Sequence, residues 1–385
     1  MKILLWVVLT PIVLLVLAVG IYFLKVIIGG LIEGWREGSD YDPEAEEAEQ
    51  EAQRRAEQSA ALGLLPPERQ HTKLALPDAP AVTVAIAAAR AGDWKPVAAL
   101  FDETAAARDW ELRTRHIERL ADVAAEEDAW LTAWETARPD DPGAALLRAR
   151  SSVFLGWKVR GSQRAKHTSR EQFEGFHRTL GRTRHEHARA AELAVPGDPS
   201  PYVGEIWTAI GLGYPHEEMH RIWKEITVRA PHHYEAHFSA LQYWCGKWCG
   251  SEELAKAFTV KAATEAPPGS LMKIFPLIAH FEHDESDSTD VDRTPEMYAA
   301  VDAALADAAA ADPDHPRLPE VRHLLGYFLN LQGRWAASAE QFRLVDGYVG
   351  ALPWRYRGDP AGEFCRVRDE SVSRAAEEAA GREDV

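Results

Sequence analysis

Residues 325–342, LGYFLNLQGRWAASAEQF, contain the pattern that decides the fold. Gly333 separates two segments with helical periodicity. Trp335 comes two residues after this glycine, and Phe342 comes seven residues after Trp335. Glycine permits the left-handed backbone that ends a helix, and residues seven apart lie on one helix face. The stretch therefore predicts two antiparallel helices joined by a tight turn. Trp335 would open the second helix and pack inside the pair, and Phe342 would face the neighbouring pair.

The same Gly-x-Trp turn occurs twice more, at residues 92–94 and 246–248. Phe101 follows the first of these copies at the same spacing of seven residues. Phe258 follows the second copy later, as if residues 249–251 were an insertion. The repeated motif indicates that one kind of helix pair recurs along the chain.

Proline-containing breaks divide the rest of the chain into lengths that suit helix pairs, and no sustained alternation of apolar and polar residues indicates a strand. We therefore predict an all-α fold, with an α-solenoid of antiparallel helix pairs over residues 81–350. Residues 351–385 would follow it as a C-terminal cap and polar tail. Three aromatic residues of that segment can pack on the last pair: Trp354, Tyr356 and Phe364.

These residues resemble the tetratricopeptide repeat. Six residues match the small and large positions of that family within one residue: Leu325, Gly326, Leu329, Gly333, Ala339 and Phe342. Residues 81–104 resemble it more loosely, and spacing elsewhere departs from the family's period. The resemblance implies partner binding, usually of a peptide or helix in the concave groove. The region from Trp130 onward is also similar to uncharacterised, membrane-anchored proteins of high-GC bacteria, a likeness that implies no activity.

Residues 1–28 are predicted to form an uncleaved transmembrane anchor. The apolar segment 3–24 would span about 33 Å as a helix, and the hydrocarbon core is roughly 30 Å thick. A cleaved signal peptide with residues 18–20 as its cleavage site is the alternative. The very short N-terminal region and the continued apolar run favour the anchor. The positive charges on the two sides of the segment are nearly balanced. The short N-terminal tail with Lys2 therefore only slightly favours an extracytoplasmic position of the following domain.

Residues 39–80 are expected to connect this single-pass anchor to the helical repeats. The glutamate-rich part before residue 60 favours helix but has no apolar stripe, which is typical of a solvated helical stalk. The stretch 63–80 contains repeated prolines and is interpreted as a linker.

The composition excludes several classes of protein. The chain has 385 residues, 46% of them hydrophobic, and a formal net charge of −17. This hydrophobic content argues against disorder, and three cysteines exclude a disulfide-dense scaffold. The acidic balance argues against a nucleic-acid partner. The chain contains no phosphate-binding glycine loop and no nucleophile elbow.

Residues 216–220, HEEMH, match the zinc-protease string H-E-x-x-H. On a helix, His216 and His220 share one face and could bind zinc, while Glu217 could act as the general base. Pro215 directly before the string instead indicates a helix start, where acidic residues are favourable. A zinc-dependent hydrolase is therefore kept as the alternative function.

A second candidate zinc set combines Cys245 and Cys249 with His233 and His237. Two cysteines and two histidines are a frequent tetrahedral ligand set. The spacing of the cysteines departs from Cys-x2-Cys, and the neighbouring glycines indicate a helix end. The competing interpretation is a pair of half-buried cysteines that flank a turn.

Residues 158–189 are locally basic in an acidic chain. The ordinary interpretation is a solvated helical face paired with acidic neighbours. A functional face would instead bind an acidic protein, phosphate or lipid headgroups. The candidate partner-binding residues are Lys158, Arg160, Arg164, Lys166, Arg178, Arg182, Arg184 and Arg189.

Taken together, the sequence predicts a membrane-tethered helical-repeat scaffold that binds a protein or peptide in its groove, without catalysis or cofactor. The zinc hydrolase is the first alternative. The second is a regulator at the cytoplasmic face that uses the basic stretch 158–189 on anionic lipid.

Overall fold

The computed structural model describes residues 43–161, 168–284, 286 and 288–383. These residues form sixteen α-helices and no β-strand, which confirms the prediction of an all-α, repeat-like fold. The chain divides into two compact units, Met1–Glu57 and Gln58–Val385. The predicted anchor, residues 1–28, lies outside the described residues. Within the described part, no helix is long and apolar enough to cross a membrane.

The helices follow one another with short connections. In chain order they are α1 (Pro43–Ala61), α2 (Pro80–Arg90), α3 (Lys95–Ala107), α4 (Trp110–Ala124), α5 (Ala129–Ala137), α6 (Pro142–Arg160), α7 (Arg170–Leu193), α8 (Ser200–Leu212), α9 (His216–Thr227), α10 (Tyr234–Trp244), α11 (Glu252–Glu265), α12 (Phe275–His283), α13 (Pro295–Ala310), α14 (Leu318–Leu331), α15 (Trp335–Arg343) and α16 (Pro360–Glu383). Many consecutive helices pack on each other, most extensively α6 on α7 and α14 on α15.

The α14–α15 pair forms at the sequence that decided the prediction. Gly333 has a φ of +69°, as the tight turn requires, and α15 begins at Trp335. A Cβ atom at Gly326 of α14 would lie 2.7 Å from the ring of Phe342 on α15. Phe342 therefore packs both into its own helix pair and against the C-terminal segment that follows it.

The other two copies of the motif differ from each other. Gly92 has a φ of +88° between α2 and α3, and Trp94 is the N-cap residue of α3. Trp248 lies in the turn between α10 and α11 and opens no helix, contrary to the prediction. The reason is that the Ser251 hydroxyl accepts a hydrogen bond from the backbone of Leu254, which caps α11 later in the chain.

The proline-rich stretch 63–80 packs along the C-terminal end of its own compact unit. The backbone N–H of His71 donates to the carbonyl oxygen of Gly347 over 2.9 Å, and Val349 donates back to His71 over 2.8 Å. Farther along the stretch, Arg119 of α4 pairs with Asp78 at 2.7 Å. This stretch therefore connects the last helices of the repeat to the early helix α4.

The C-terminal segment covers the end of the last pair. Trp354 and Phe364 are buried with Phe342, and their rings meet edge to face 5.6 Å apart. Arg368 of α16 is buried and pairs with Asp346 at 2.6 Å. Tyr356 is 52% exposed and lies beside a central cavity.

Candidate functional site

A cavity of about 510 Å³ lies at the centre of the larger unit. Helices α4, α6, α8, α10 and α14 face it, and residues 73–75 and 350–356 complete its wall. Basic residues outnumber acidic ones around it, although the whole chain is acidic. The basic residues are Lys73, Arg115, Arg119, Arg150, Arg317 and Arg355, and the acidic residues are Glu118, Asp122, Glu235 and Glu320.

The floor of the cavity is an ion-pair network around Arg317, which is 5% exposed. Its guanidinium contacts Glu118 at 2.6 Å, Glu320 at 2.8 Å and Glu235 at 3.2 Å. Burial, and next the nearby carboxylate of Glu118, raise the pKa of Glu235 to about 8. Ser239 donates a hydrogen bond to Glu235 over 2.9 Å. The floor therefore uses its own charges internally.

Arg150 of α6 is different, because its guanidinium has no hydrogen bond or ion pair with any described residue. It lies over the ring of Phe154 at 4.9 Å and near Trp207 at 6.0 Å. The indole N–H of Trp207 donates a hydrogen bond to the Ser239 hydroxyl over 2.9 Å, which fixes the orientation of the ring. The side chain is thus a half-buried cation between two aromatic rings, with its donors directed to no protein acceptor.

Two further cations lie at the mouth of the cavity. Arg355 lies over Phe238 at 5.0 Å and near Tyr356 at 5.9 Å. Lys73 is exposed in the segment 73–75, which is hydrogen-bonded to Gly350. Neither side chain forms an ion pair within the described part of the chain. The cavity therefore combines an ion-paired floor with three cations that form no ion pair within the described part of the chain. Of these cations, Arg150 is attracted by Glu118 and Glu235 of the floor. Arginine in such a position binds carboxylates or phosphates through two parallel hydrogen bonds.

The structure places His216 and His220 on the first turns of α9, where both are exposed. Both rings lie against the indole of Trp244, with centroids 4.9 Å and 5.2 Å away. The Nε2 atom of His216 is 2.8 Å from the carbonyl oxygen of Cys249. Glu217 lies between them, also exposed. The histidine pair thus covers an aromatic ring, and the zinc site at the HEEMH string stays a prediction.

The histidines of the second predicted zinc set form hydrogen bonds with other protein groups. The Nε2 atom of His233 lies 3.1 Å from both the Thr114 hydroxyl and a backbone carbonyl, and its Nδ1 atom accepts from the Ala236 backbone. Burial raises the pKa of Cys245 to about 12, which favours the thiol over the metal-binding thiolate. Cys249 is half-buried in the turn before α11.

A different group of metal-type ligands lies together. Ligand atoms of His280, Asp284 and Asp292 are all within 4.8 Å of one another. His280 contacts Asp292 at 2.9 Å, and this hydrogen bond raises the pKa of the imidazole. Asp284 and Asp292 belong to the loop over residues 283–294. Within its described residues, the structure shows a short 3-10 helix at Thr289–Arg293 and a buried Asp292, so the ion pair anchors the loop.

The basic stretch 158–189 is largely paired. Lys158 contacts Asp122 at 3.0 Å, Arg184 contacts Glu218 at 3.1 Å, and Arg189 pairs with Asp140. Arg160 lies over the rings of Trp157 and Trp248, whereas Arg178 and Arg182 are exposed on α7 without an ion pair among the described residues. Arg164 and Lys166 lie outside the described residues. The arrangement fits the interpretation of a solvated, paired face.

Sequence reasoning missed the central cavity, although one signal was present. Charged residues occur inside apolar helices: Glu235 lies in α10, where every residue is buried, and Arg150 follows an Ala-Leu-rich turn of α6. An ionisable residue on a core-facing helix side needs a partner or a ligand. Arg317 carries the same signal at the start of α14.

Comparison of the chain with family models, curated proteins and solved structures gives no match. The site is therefore interpreted from its own geometry.

Proposed function

We propose that the protein is a helical-repeat scaffold that binds an acidic segment of a protein or peptide partner in its central cavity. The observation that carries this proposal is the guanidinium of Arg150, a half-buried cation near Phe154 and Trp207 that forms no hydrogen bond or ion pair with a described residue. Burial lowers the pKa of Arg150 although Glu118 and Glu235 attract its charge, so an anionic ligand would add compensation that the protein itself does not complete.

The position of the cavity supports a polymeric ligand. Its walls come from successive repeat helices, as in other solenoids that bind an extended segment on the inner face. The cations lie at different depths, with Arg150 inside and Arg355 and Lys73 at the mouth. Several carboxylates along one segment can therefore be engaged together, and the aromatic rings contact the aliphatic parts between them.

A direct test uses fluorescein-labelled hexaglutamate and hexaglutamine peptides with the purified full chain in fluorescence anisotropy titrations. We expect saturable binding of hexaglutamate, at least tenfold weaker binding of hexaglutamine, and weakening of the hexaglutamate complex by added salt. Arg150→Gln should weaken hexaglutamate binding at least tenfold, because it removes a charge-assisted bidentate contact.

Arg178→Gln is the matched control, since it removes an exposed arginine of α7 that does not line the cavity. Its affinity for hexaglutamate should equal that of the wild type. Equal affinity for the two peptides, or a loss caused by Arg178→Gln and not by Arg150→Gln, would contradict the proposal. The second result would assign binding to the basic stretch 158–189.

We further propose that residues 3–24 tether the scaffold to a membrane in a single pass, with the domain on the extracytoplasmic side. The support is the length and apolarity of that segment and the short Lys-bearing tail before it. A reporter that is active only outside the cytoplasm, fused after Val385, tests the side. Activity supports the proposal, and activity of a cytoplasmic reporter instead overturns it.

A further inference from the structure

A second cavity, of about 400 Å³, lies between α9 and α11 with α10 as its base. We call it the outer pocket, and the residues that matter are Trp223, Lys224, His237, Phe258 and Lys261. It shares α10 with the central cavity. His237 is two residues after Glu235, about 200° around the helix, so the two sites use different faces of α10.

At the base of the outer pocket lies an unsatisfied hydrogen-bond acceptor. His237 is 4% exposed, and its Nδ1 atom is 2.9 Å from the carbonyl oxygen of His233. Since a carbonyl only accepts, Nδ1 carries the proton. Burial lowers the pKa of this imidazole to about 4, so the ring is neutral near pH 7. Its Nε2 atom is then a lone-pair acceptor, and no described residue donates to it.

The wall of the outer pocket is aromatic. The ring of Trp223 meets Phe258 at 5.1 Å and 69°, and it meets the His237 imidazole at 4.9 Å and 90°. Both Trp223 and Phe258 are only half-buried. Such edge-to-face contacts give one continuous apolar surface beside the acceptor, on which a planar ring can pack.

The rim of the outer pocket is basic. Lys224 and Lys261 are both exposed there. Lys261 has only a marginal contact with Glu265, at 4.0 Å, and Lys224 forms no ion pair within the described residues. An anionic group at the mouth of the pocket would therefore meet the ammonium groups of Lys224 and Lys261, and Glu265, the exposed partner of Lys261, also lines the pocket.

From this arrangement we propose that the outer pocket binds a small aromatic acid with a ring hydroxyl at the end opposite its carboxylate. The hydroxyl donates to Nε2 of His237, the ring packs on Trp223 and Phe258, and the carboxylate faces Lys224 and Lys261. Each part of the ligand is required by a separate feature of the pocket: an acceptor without a protein donor, an aromatic wall and a rim that carries two lysines.

The test is isothermal titration calorimetry of the full chain with 4-hydroxyphenylacetate, phenylacetate and 4-methoxyphenylacetate. We expect saturable binding of the first compound and at least tenfold weaker binding of the other two. Neither of those analogues can donate to His237 Nε2, so each would displace water from the acceptor without replacing its hydrogen bond. A Lys224→Met, Lys261→Met double variant should also weaken binding at least tenfold, and both substitutions are at exposed positions where the fold is not at risk.

Arg150→Gln is the control, because it alters the central cavity and should leave 4-hydroxyphenylacetate binding unchanged. Absence of saturable binding, or equal binding of the three compounds, would overturn the proposal. A loss of binding in Arg150→Gln without a loss in the lysine double variant would also overturn it, by placing the ligand in the central cavity. The binding of 4-hydroxyphenylacetate is measured independently of hexaglutamate binding. Failure of one proposal therefore leaves the other proposal standing.

Discussion

Arg317 and Glu118, separated by 199 residues, form a salt bridge of 2.6 Å across the floor of the central cavity. Glu118 belongs to α4 and Arg317 directly precedes α14, so this ion pair joins an early and a late helix of the repeat. Together with the contacts of residues 63–80, it closes the helical array around the cavity. The ligand site proposed here therefore depends on contacts that are remote in sequence.

Arg317→Leu should destabilise the fold strongly. It leaves the carboxylates of Glu118, Glu235 and Glu320 without their common partner, and breaking a buried ion pair costs about 3–5 kcal/mol. The free energy of unfolding from urea titrations monitored by circular dichroism checks this. Arg374→Leu is the control, because its pair with Glu377 is exposed and should change stability by less than about 0.5 kcal/mol. Equal effects would disprove a central role for Arg317.

The raised pKa of Glu235 makes stability depend on pH. The group ionises near 4.5 in the unfolded chain and near 8 in the folded chain. Between these values the unfolded state binds fewer protons, so the free energy of unfolding falls as the pH rises through this window. Glu235→Gln should flatten that part of the profile, which urea titrations across the window measure. A profile identical to the wild type would show that Glu235 ionises normally.

Gly326→Ala should lower stability by about 1–3 kcal/mol, because a new methyl group would overlap the fully buried ring of Phe342. Gly181→Ala is a matched control within α7, where nothing lies within 4 Å of the added Cβ atom. That variant should gain about 0.5–1 kcal/mol from helix propensity. Thermal unfolding compares the two variants, and a similar change in both would argue against the α14–α15 packing.

Zinc analysis tests the hydrolase alternative. We expect substoichiometric zinc in the purified full chain and the same content in His220→Ala, because His216 and His220 lie against Trp244 and His216 is engaged by a backbone carbonyl. Mass spectrometry of metals gives the content after dialysis against zinc. One zinc per chain that disappears in His220→Ala would establish the metal site and overturn this interpretation.

Local pattern was enough to predict the helices. The turn at Gly333 and the helix that starts at Trp335 follow from the left-handed freedom of glycine and the periodicity around it, both of which are encoded within a few residues. Trp248 shows the limit of this reasoning. The same Gly-x-Trp motif is present at residues 246–248, but α11 begins after Ser251, whose side chain caps it. Two start signals within one turn therefore compete, and the motif alone does not decide which one is used.

The cavity could not be predicted in the same way, because its walls are brought together by contacts between distant residues. Nothing local indicates that residue 118 meets residue 317, or that His71 meets Gly347. The basic stretch 158–189 was conspicuous in sequence because its charges are contiguous. Arg150 did not stand out in the sequence, because the other cations of its site come from distant parts of the chain.

A crystal structure of the full chain with bound hexaglutamate tests the central claim most directly. The account predicts a peptide carboxylate within hydrogen-bond distance of the Arg150 guanidinium, with the peptide inside the central cavity and a second carboxylate near Arg355. A peptide bound instead along α7, at Arg178 and Arg182, with an empty central cavity, would contradict it.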